Sequence, residues 1–387
     1  MHHKLVLIDG RVAFVGGMDL ASGRWDDSHH RVDNPFRAER GESQKPYHDT
    51  MLQIRGEIVS HLEHLFESRW SRAVKEDPVQ TTARSRKNDR EFPERGAPID
   101  ATTAAISRTV CGSDGSASAT EILALYERAI QEARHLLYME TQYFTSRALR
   151  DALVGRFENF TRAPLDVILI MPKGADSTKE FLAIGAAQEQ LLAEIREVAD
   201  CHGSRFRVYS SLAAGGERSG VFTFIHSKLL IVDDRLLCIG SANLTNRSLQ
   251  LDHELCVGFE ESEEDGPLSR SISAIRSTLL AEHSGVVLGP DSSGPKGLVD
   301  HLDLLADDPS TRLRRRSIDR IACCRRPDLT LGATVRSGEA TNAARIGRGG
   351  GNATVVALPL KWVGLRHCRE AVANGSVANL PIVDAEK

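Results

Sequence analysis

Apolar and polar positions alternate along the chain in short blocks. Leu5 to Ile8 and Val12 to Val15 are apolar runs separated by Asp9-Gly10, which predicts two short strands joined by a tight turn. Residues 21–46 are polar and rich in turn formers. In 57–75, Ile58, Leu62, Leu65, Phe66 and Trp70 recur at helical spacing and predict a helix with one apolar face. Residues 76–100 carry Pro78, Pro93, Pro98 and several charges with little apolar content, the texture of a linker.

Beyond it, strand and helix patterns alternate. Ile106 to Val110, Leu136 to Met139, Val167 to Met171 and Phe206 to Tyr209 read as strands. Residues 119–134, 178–200 and 266–283 read as amphipathic helices. This order predicts an α/β layer structure with a largely parallel or mixed sheet. After about residue 290 the pattern fades. Arg312, Arg314, Arg315, Arg316, Arg320, Arg325 and Arg326 crowd together, and 327–352 show no sustained period, as in a low-order basic tail.

Composition narrows the function classes. The 387 residues suffice for two domains and a tail, and the formal net charge of −4 gives no basic field of the kind that gathers nucleic acid. No apolar run approaches the ~18–20 residues of a membrane-spanning helix. A basic stretch followed by an apolar core is missing at the N-terminus, so no secretory signal is expected. The seven cysteines include no CxxC pair, which argues against zinc and fits a reducing compartment. A cytoplasmic or membrane-peripheral location is expected. His3, His29, His30 and His48 form no metal set by spacing, and the expectation is that those in the polar loop are solvent-exposed.

One motif occurs twice. His2-His3-Lys4-Leu5-Val6-Leu7-Ile8-Asp9 matches His226-Ser227-Lys228-Leu229-Leu230-Ile231-Val232-Asp233, and Gly16, Gly17 and Asp19 match Gly240, Ser241 and Asn243, all at an offset of 224. Self-similarity at one offset points to duplicated units, each supplying half of one site. On a strand, residues i and i+2 share a face, so His2 projects with Lys4 and His226 with Lys228. The glycines of the next strand let backbone approach a ligand closely, and Gly17 and Ser241 are expected to bind substrate. Two imidazoles, two ammonium groups and the Asn243 amide suit a phosphodiester. Lysines and amide hold the negative oxygens, while one histidine attacks phosphorus and the other protonates the leaving alkoxide. Asp9 and Asp233, at odd spacing from their histidines, are expected to be structural. Glu140, Gln142 and Tyr143, between the motifs, are expected to line the substrate pocket.

The paired motifs resemble the HxK(x)4D(x)6G motifs of the phospholipase D superfamily. Val15-Gly16-Gly17-Met18-Asp19-Leu20 with Gly23-Arg24-Trp25-Asp26, Tyr47-His48-Asp49, Phe66 to Trp70, Glu140-Thr141-Gln142-Tyr143-Phe144, and Ser241-Ala242-Asn243-Leu244 through Arg247-Ser248 to Glu254 resemble further blocks of its eukaryotic-type subgroup and that subgroup's bacterial relatives. The resemblance spans about residues 1–290. It implies two similar α/β halves around a pseudo-two-fold axis, a phosphohistidine intermediate and no catalytic metal or other cofactor. It implies His2 as nucleophile, His226 as general acid, and Asp49 and Glu254 as the carboxylates that each hold one histidine. Family members carry a segment upstream of the first motif, so the expectation is an N-terminally truncated chain. Its first half (1–95, with linker) would be incomplete, its second half (96–290) whole, and 291–387 a tail.

The resemblance implies hydrolysis of glycerophospholipid phosphodiesters to phosphatidate and an alcohol, with headgroup exchange as a variant, on a phospholipid substrate at a membrane surface. The alternatives are a cardiolipin-synthase-like phosphatidyl transferase, a nuclease, which the acidic balance and the two motifs in one chain disfavour, and an inactive fragment.

Overall fold

The computed structural model describes residues 2–74, 96–112, 117–174, 184–216, 220–261, 266–289, 294–318 and 353–358. The first apolar runs form the expected hairpin, β1 (Leu5–Ile8) against β2 (Val12–Gly16). Asp9 and Gly10 have φ of 52° and 62°, and the Arg11 amide closes on the Ile8 carbonyl at 3.0 Å. Two left-handed residues reverse the chain with the twist that paired strands need. The polar stretch that follows holds a short ladder, β3 (Ala38–Glu39) with β4 (Glu42–Ser43). Then come β5 (Tyr47–His48), β6 (Met51–Arg55) and helix α1 (Ile58–Val74).

Strand β7 (Ala97–Ala101) overlaps the end of the expected linker, and 75–95 lie outside the described residues. There follow β8 (Ala105–Cys111), β9 (Ala117–Thr120), α2 (Glu121–Glu132), β10 (Leu136–Glu140), α3 (Arg147–Phe157), β11 (Asp166–Ile170), α4 (Ala186–Cys201) and β12 (Arg205–Ser211). Next are β13 (Phe224–Ile225), β14 (Leu229–Val232), β15 (Leu236–Gly240), α5 (Asn246–Gln250), β16 (Glu254–Glu260) and α6 (Pro267–Ser284). The last elements are α7 (Leu298–Asp307), β17 (Leu313–Arg315) and β18 (Ala353–Leu358).

Two main sheets result. A five-stranded sheet runs β1-β2-β6-β18-β7, and a nine-stranded sheet β17-β12-β11-β10-β14-β15-β16-β8-β9. In the larger sheet β10, β11 and β12 are parallel, as the strand–helix alternation predicts, and the strands beyond them pair antiparallel. The fold is therefore mixed α/β. One apolar cluster joins Ala13, Val15, Leu52 and Ile54 of the smaller sheet to Leu229, Ile231, Leu237 and Leu255 of the larger. A second packs α2, α3 and α4 against the larger sheet's other face.

The sequence repeat is a structural one. Leu5 faces Val15 as Leu229 faces Ile239, and Ile8 faces Val12 as Val232 faces Leu236, each pair 224 residues from its counterpart. Asp9 and Asp233 share the same φ of 52°. Asp233 also accepts from the amides of Arg134, His135 and Leu136 at 2.7–2.8 Å, pinning the start of β10. Both aspartates lie in the turns of their hairpins.

Three expectations are corrected. The apolar face of α1 is not buried along its length: Phe66 and Trp70 are each 48% exposed, and they stack on one another at 6.0 Å. The smaller sheet ends at β1, whose side chains are all half-buried, so the later turns of α1 lack a sheet surface to cover among the described residues. The tail is not uniformly low in order. Its segment 298–315 supplies α7, which buries Leu298, Val299 and Leu302, and β17, which pairs with β12. Residues 353–358 add β18 between β6 and β7. The aperiodic stretch 327–352 lies outside the described residues. Finally, His30 and His48 are each 2% exposed.

Arg276 of α6 is fully buried and grips Asp234 with two bonds of 2.7 and 2.6 Å. Removing one member of a buried pair leaves an uncompensated charge, at about 3–5 kcal/mol. Arg276→Ala should lower the urea-unfolding free energy by that order, and Arg276→Gln with Asp234→Asn should recover most of it.

Candidate active site

Each motif histidine lies just ahead of its strand, two residues before its lysine. Lys4 Nζ donates to the His2 carbonyl at 3.1 Å, and Lys228 Nζ donates to the His226 carbonyl in the same way. Each lysine therefore folds back over its own histidine's backbone, a tighter arrangement than two side chains sharing a strand face.

The carboxylates come from across the molecule. His226 Nδ1 donates to Asp49 Oδ2 at 2.7 Å, while the His226 amide donates to the His48 carbonyl at 2.8 Å. His2 Nδ1 lies 3.0 Å from both oxygens of Glu254, and its amide donates to the His253 carbonyl at 3.0 Å. Each histidine is thus held by a His-acid dipeptide that borders the opposite sheet. Nδ1 meets the carboxylate in both cases, which leaves Nε2 as the ring nitrogen turned away from it.

Burial sets the charge states. His226 is 6% exposed, and burial with the nearby Lys228 charge lowers its pKa below 6.5 against the pull of Asp49. Burial alone would raise the Asp49 carboxyl, but His226 and Lys228 outweigh it and hold it low. Lys228 is 1% exposed; burial, with Lys4 adding to it, brings its pKa down to about 8 despite Asp49 and Glu254. Asp49, Lys4, Glu254 and Asp19 all act on this one ammonium, so both motifs share one electrostatic site. Lys4 also pairs with Asp19 at 3.3 Å.

The remaining site residues divide. Asn243 is 7% exposed and lies 3.5 Å from the Thr141 hydroxyl. Gly17 and Ser241 lie against the two carboxylates. A Cβ at Gly17 would strike Asp49 Oδ1, and Ser241 Oγ donates to Glu254 Oε2 at 2.5 Å. Glu140 is 1% exposed, and a set of buried donors, Tyr138, His48, His283 and Ser227, satisfies both its oxygens. Gln142 and Tyr143 are half-buried beyond the end of β10, and Gln142 Nε2 donates to Tyr143 Oη at 2.6 Å.

Sequence reasoning missed what lies behind Glu140. A continuous ladder runs Asp26–His30–Glu282–His48–Glu140–His283, with Arg37 on Asp26, at steps of 2.7–3.1 Å. One signal was present: Glu282 and His283 continue the apolar stripe of Leu268, Ile272, Ile275 and Leu279 on α6, and polar residues on a core stripe are buried by their register.

The family model described as "Phospholipase D" matches residues 4–150, and the model described as "Cardiolipin synthase, PLD-like domain" matches 126–274. Phospholipase D A of Dictyostelium discoideum is 25% identical over 354 residues, covering 74% of this chain and 27% of the relative. Cardiolipin synthase A of Pseudomonas syringae is 24% identical over 274 residues, covering 70% and 47%. A phospholipase D family member from Salmonella typhimurium aligns over 46% of this chain and 91% of its own, at 16% identity and a TM-score of 0.30. The chain belongs to the phospholipase D superfamily. It spans roughly a quarter to a half of the length of the curated relatives it matches first.

The ladder has a pH signature. Asp26, Glu140 and Glu282 would be raised by burial, but their histidine partners hold all three below the ordinary 3.8 and 4.5. A depressed carboxyl contributes stability above its unfolded pKa and loses it as pH falls. The melting temperature should therefore drop steeply below about pH 4.5. His30 and His48, raised by their carboxylates against burial, contribute stability below 6.5 that persists until pH passes their higher folded values.

Proposed function

We propose that the site cleaves glycerophospholipid phosphodiesters by phospholipase D chemistry. The observation that carries the reading is the reciprocal pair of histidine–carboxylate bonds, with both lysines at the same place. In the proposed first step His2 Nε2 attacks phosphorus, its proton side anchored on Glu254. The bond from phosphorus to the headgroup oxygen breaks, and His226 Nε2 passes its proton to the departing alkoxide. Lys4, Lys228 and Asn243 hold the equatorial oxygens as charge moves onto them. Water then attacks the phosphohistidine with His226 as base, the P–N bond breaks, and phosphatidate leaves. The charge that stabilises this transition state is supplied by side chains of the chain itself.

A second reading is phosphatidyl transfer, in which a lipid alcohol replaces water in the last step. It is favoured by the cardiolipin-synthase model over 126–274 and by relatives of that name. In both readings the substrate is a phospholipid met at a membrane surface. No helix of the described residues is long and apolar enough to cross a membrane.

The test is headgroup release from mixed micelles in EDTA, with product analysis. Parent chain should release headgroup; His226→Ala should lose at least about 10²-fold, the scale of a lost general acid. Protein quenched in alkaline denaturant, where a phosphoramidate survives, should carry label from phosphorus-labelled lipid on His2, and His2→Ala none. Cardiolipin without phosphatidate would favour transfer. Because His226 must enter protonated and its pKa lies below 6.5, kcat/KM should fall as pH rises through slightly acidic values. A second fall is expected near pH 8, where Lys228 loses its charge.

A further inference from the structure

The two reacting histidines are held alike at their backbone and Nδ1 and differently one layer back. His253, whose carbonyl receives the His2 amide, has a half-exposed imidazole. His48, whose carbonyl receives the His226 amide, is 2% exposed. Its Nδ1 lies 2.7 Å from Glu282 Oε1, and its Nε2 lies 2.8 Å from Glu140 Oε2. A neutral imidazole in this slot would turn a lone pair toward one carboxylate, so both nitrogens must donate. His48 and Asp49 are consecutive, and β5 pairs in parallel with β13, Ile225 facing His48. Glu140 also accepts from Ser227, the residue after His226. One carboxylate therefore ties together both strands that place His226.

We propose that His48 is a positioning residue for His226, fixed as an imidazolium between Glu140 and Glu282 so that its carbonyl and the adjoining Asp49 hold the His226 ring. The proposal rests on His226 as a reacting group. The ladder balances in charge: Asp26, Glu282 and Glu140 are met by Arg37, His30 and His48. His283 donates Nε2 to Glu140, while its Nδ1 has no partner among the described residues; burial, with His48 adding to it, keeps it neutral. His48, Glu140 and His283 bring ligand atoms within 4.8 Å of one another, the spacing of a cation site. A cation there would have to displace the protons that already join them, since His48 spends both nitrogens on carboxylates and Glu140 accepts from four donors.

The test uses the full chain with 15N-labelled histidine, so that it stands apart from turnover. Both ring nitrogens of His48 should stay protonated from pH 6 to 9. In His48→Gln the titration midpoint of His226 should fall, because Asp49 no longer meets it squarely. On lipid, kcat should drop by about 10- to 100-fold, the cost of a misplacement on the order of 1 Å, with KM changed less than about twofold. Should His48→Gln not fold, Glu282→Gln removes one bracket without touching β5 and should shift His226 in the same direction. A His48 ring nitrogen that titrates in this range, stoichiometric zinc in the purified protein, or an unmoved His226 midpoint would each overturn the proposal. An inactive parent whose His226 midpoint still shifts in the variants would count against the phospholipase reading while leaving the positioning role intact.

Discussion

Everything at this site hangs on a bond made across the molecule. A histidine ahead of β1 takes its carboxylate from β16, and a histidine ahead of β14 takes its carboxylate from the turn before β6. Neither bond can form unless the two sheets are docked, so the apolar cluster shared by Val15, Leu52, Leu237 and Leu255 is a condition of the chemistry as well as of stability. Roughly 25 cal/mol for each Å2 of apolar surface removed from water keeps the sheets together. The hydrogen bonds, each worth ~1 kcal/mol net, decide the register in which they meet.

Burial makes that register exacting. Asp49, Lys228 and His226 lie almost wholly out of water, where an unpaired charge is costly. The carboxylate answers the imidazole, the ammonium answers both carboxylates, and a glycine at position 17 leaves the room Asp49 occupies. Behind them the acid–histidine ladder repeats the same solution in a deeper layer, with no exposed member between His30 and His283.

Much of this was legible in the residues. The 224-residue offset carries over to strand register pair for pair, because the motif includes its own turn: Asp9 and Asp233 both reverse the chain in the left-handed region. The carboxylate partners at 49 and 254 were visible through family resemblance; that each serves the opposite sheet's histidine was not, since linear spacing says nothing of which sheet docks where. Glu140 reads as a pocket residue from its position between the two motifs. Its actual environment depends on α6 and the 26–48 loop, more than ninety residues away on either side. His30 looked exposed because loops are usually wet; only Asp26, Arg37 and Glu282, met in three dimensions, explain why it is dry. Phe66 and Trp70 kept a helical apolar period, but period alone does not say how far a sheet extends beneath a helix.

The crossing of the two histidine–carboxylate bonds has a mechanical consequence. A breathing motion that parts the sheets would strain both bonds together, because each runs from one sheet to the other. Loosening of this seam therefore weakens the hold on both imidazoles while each sheet keeps its own strands.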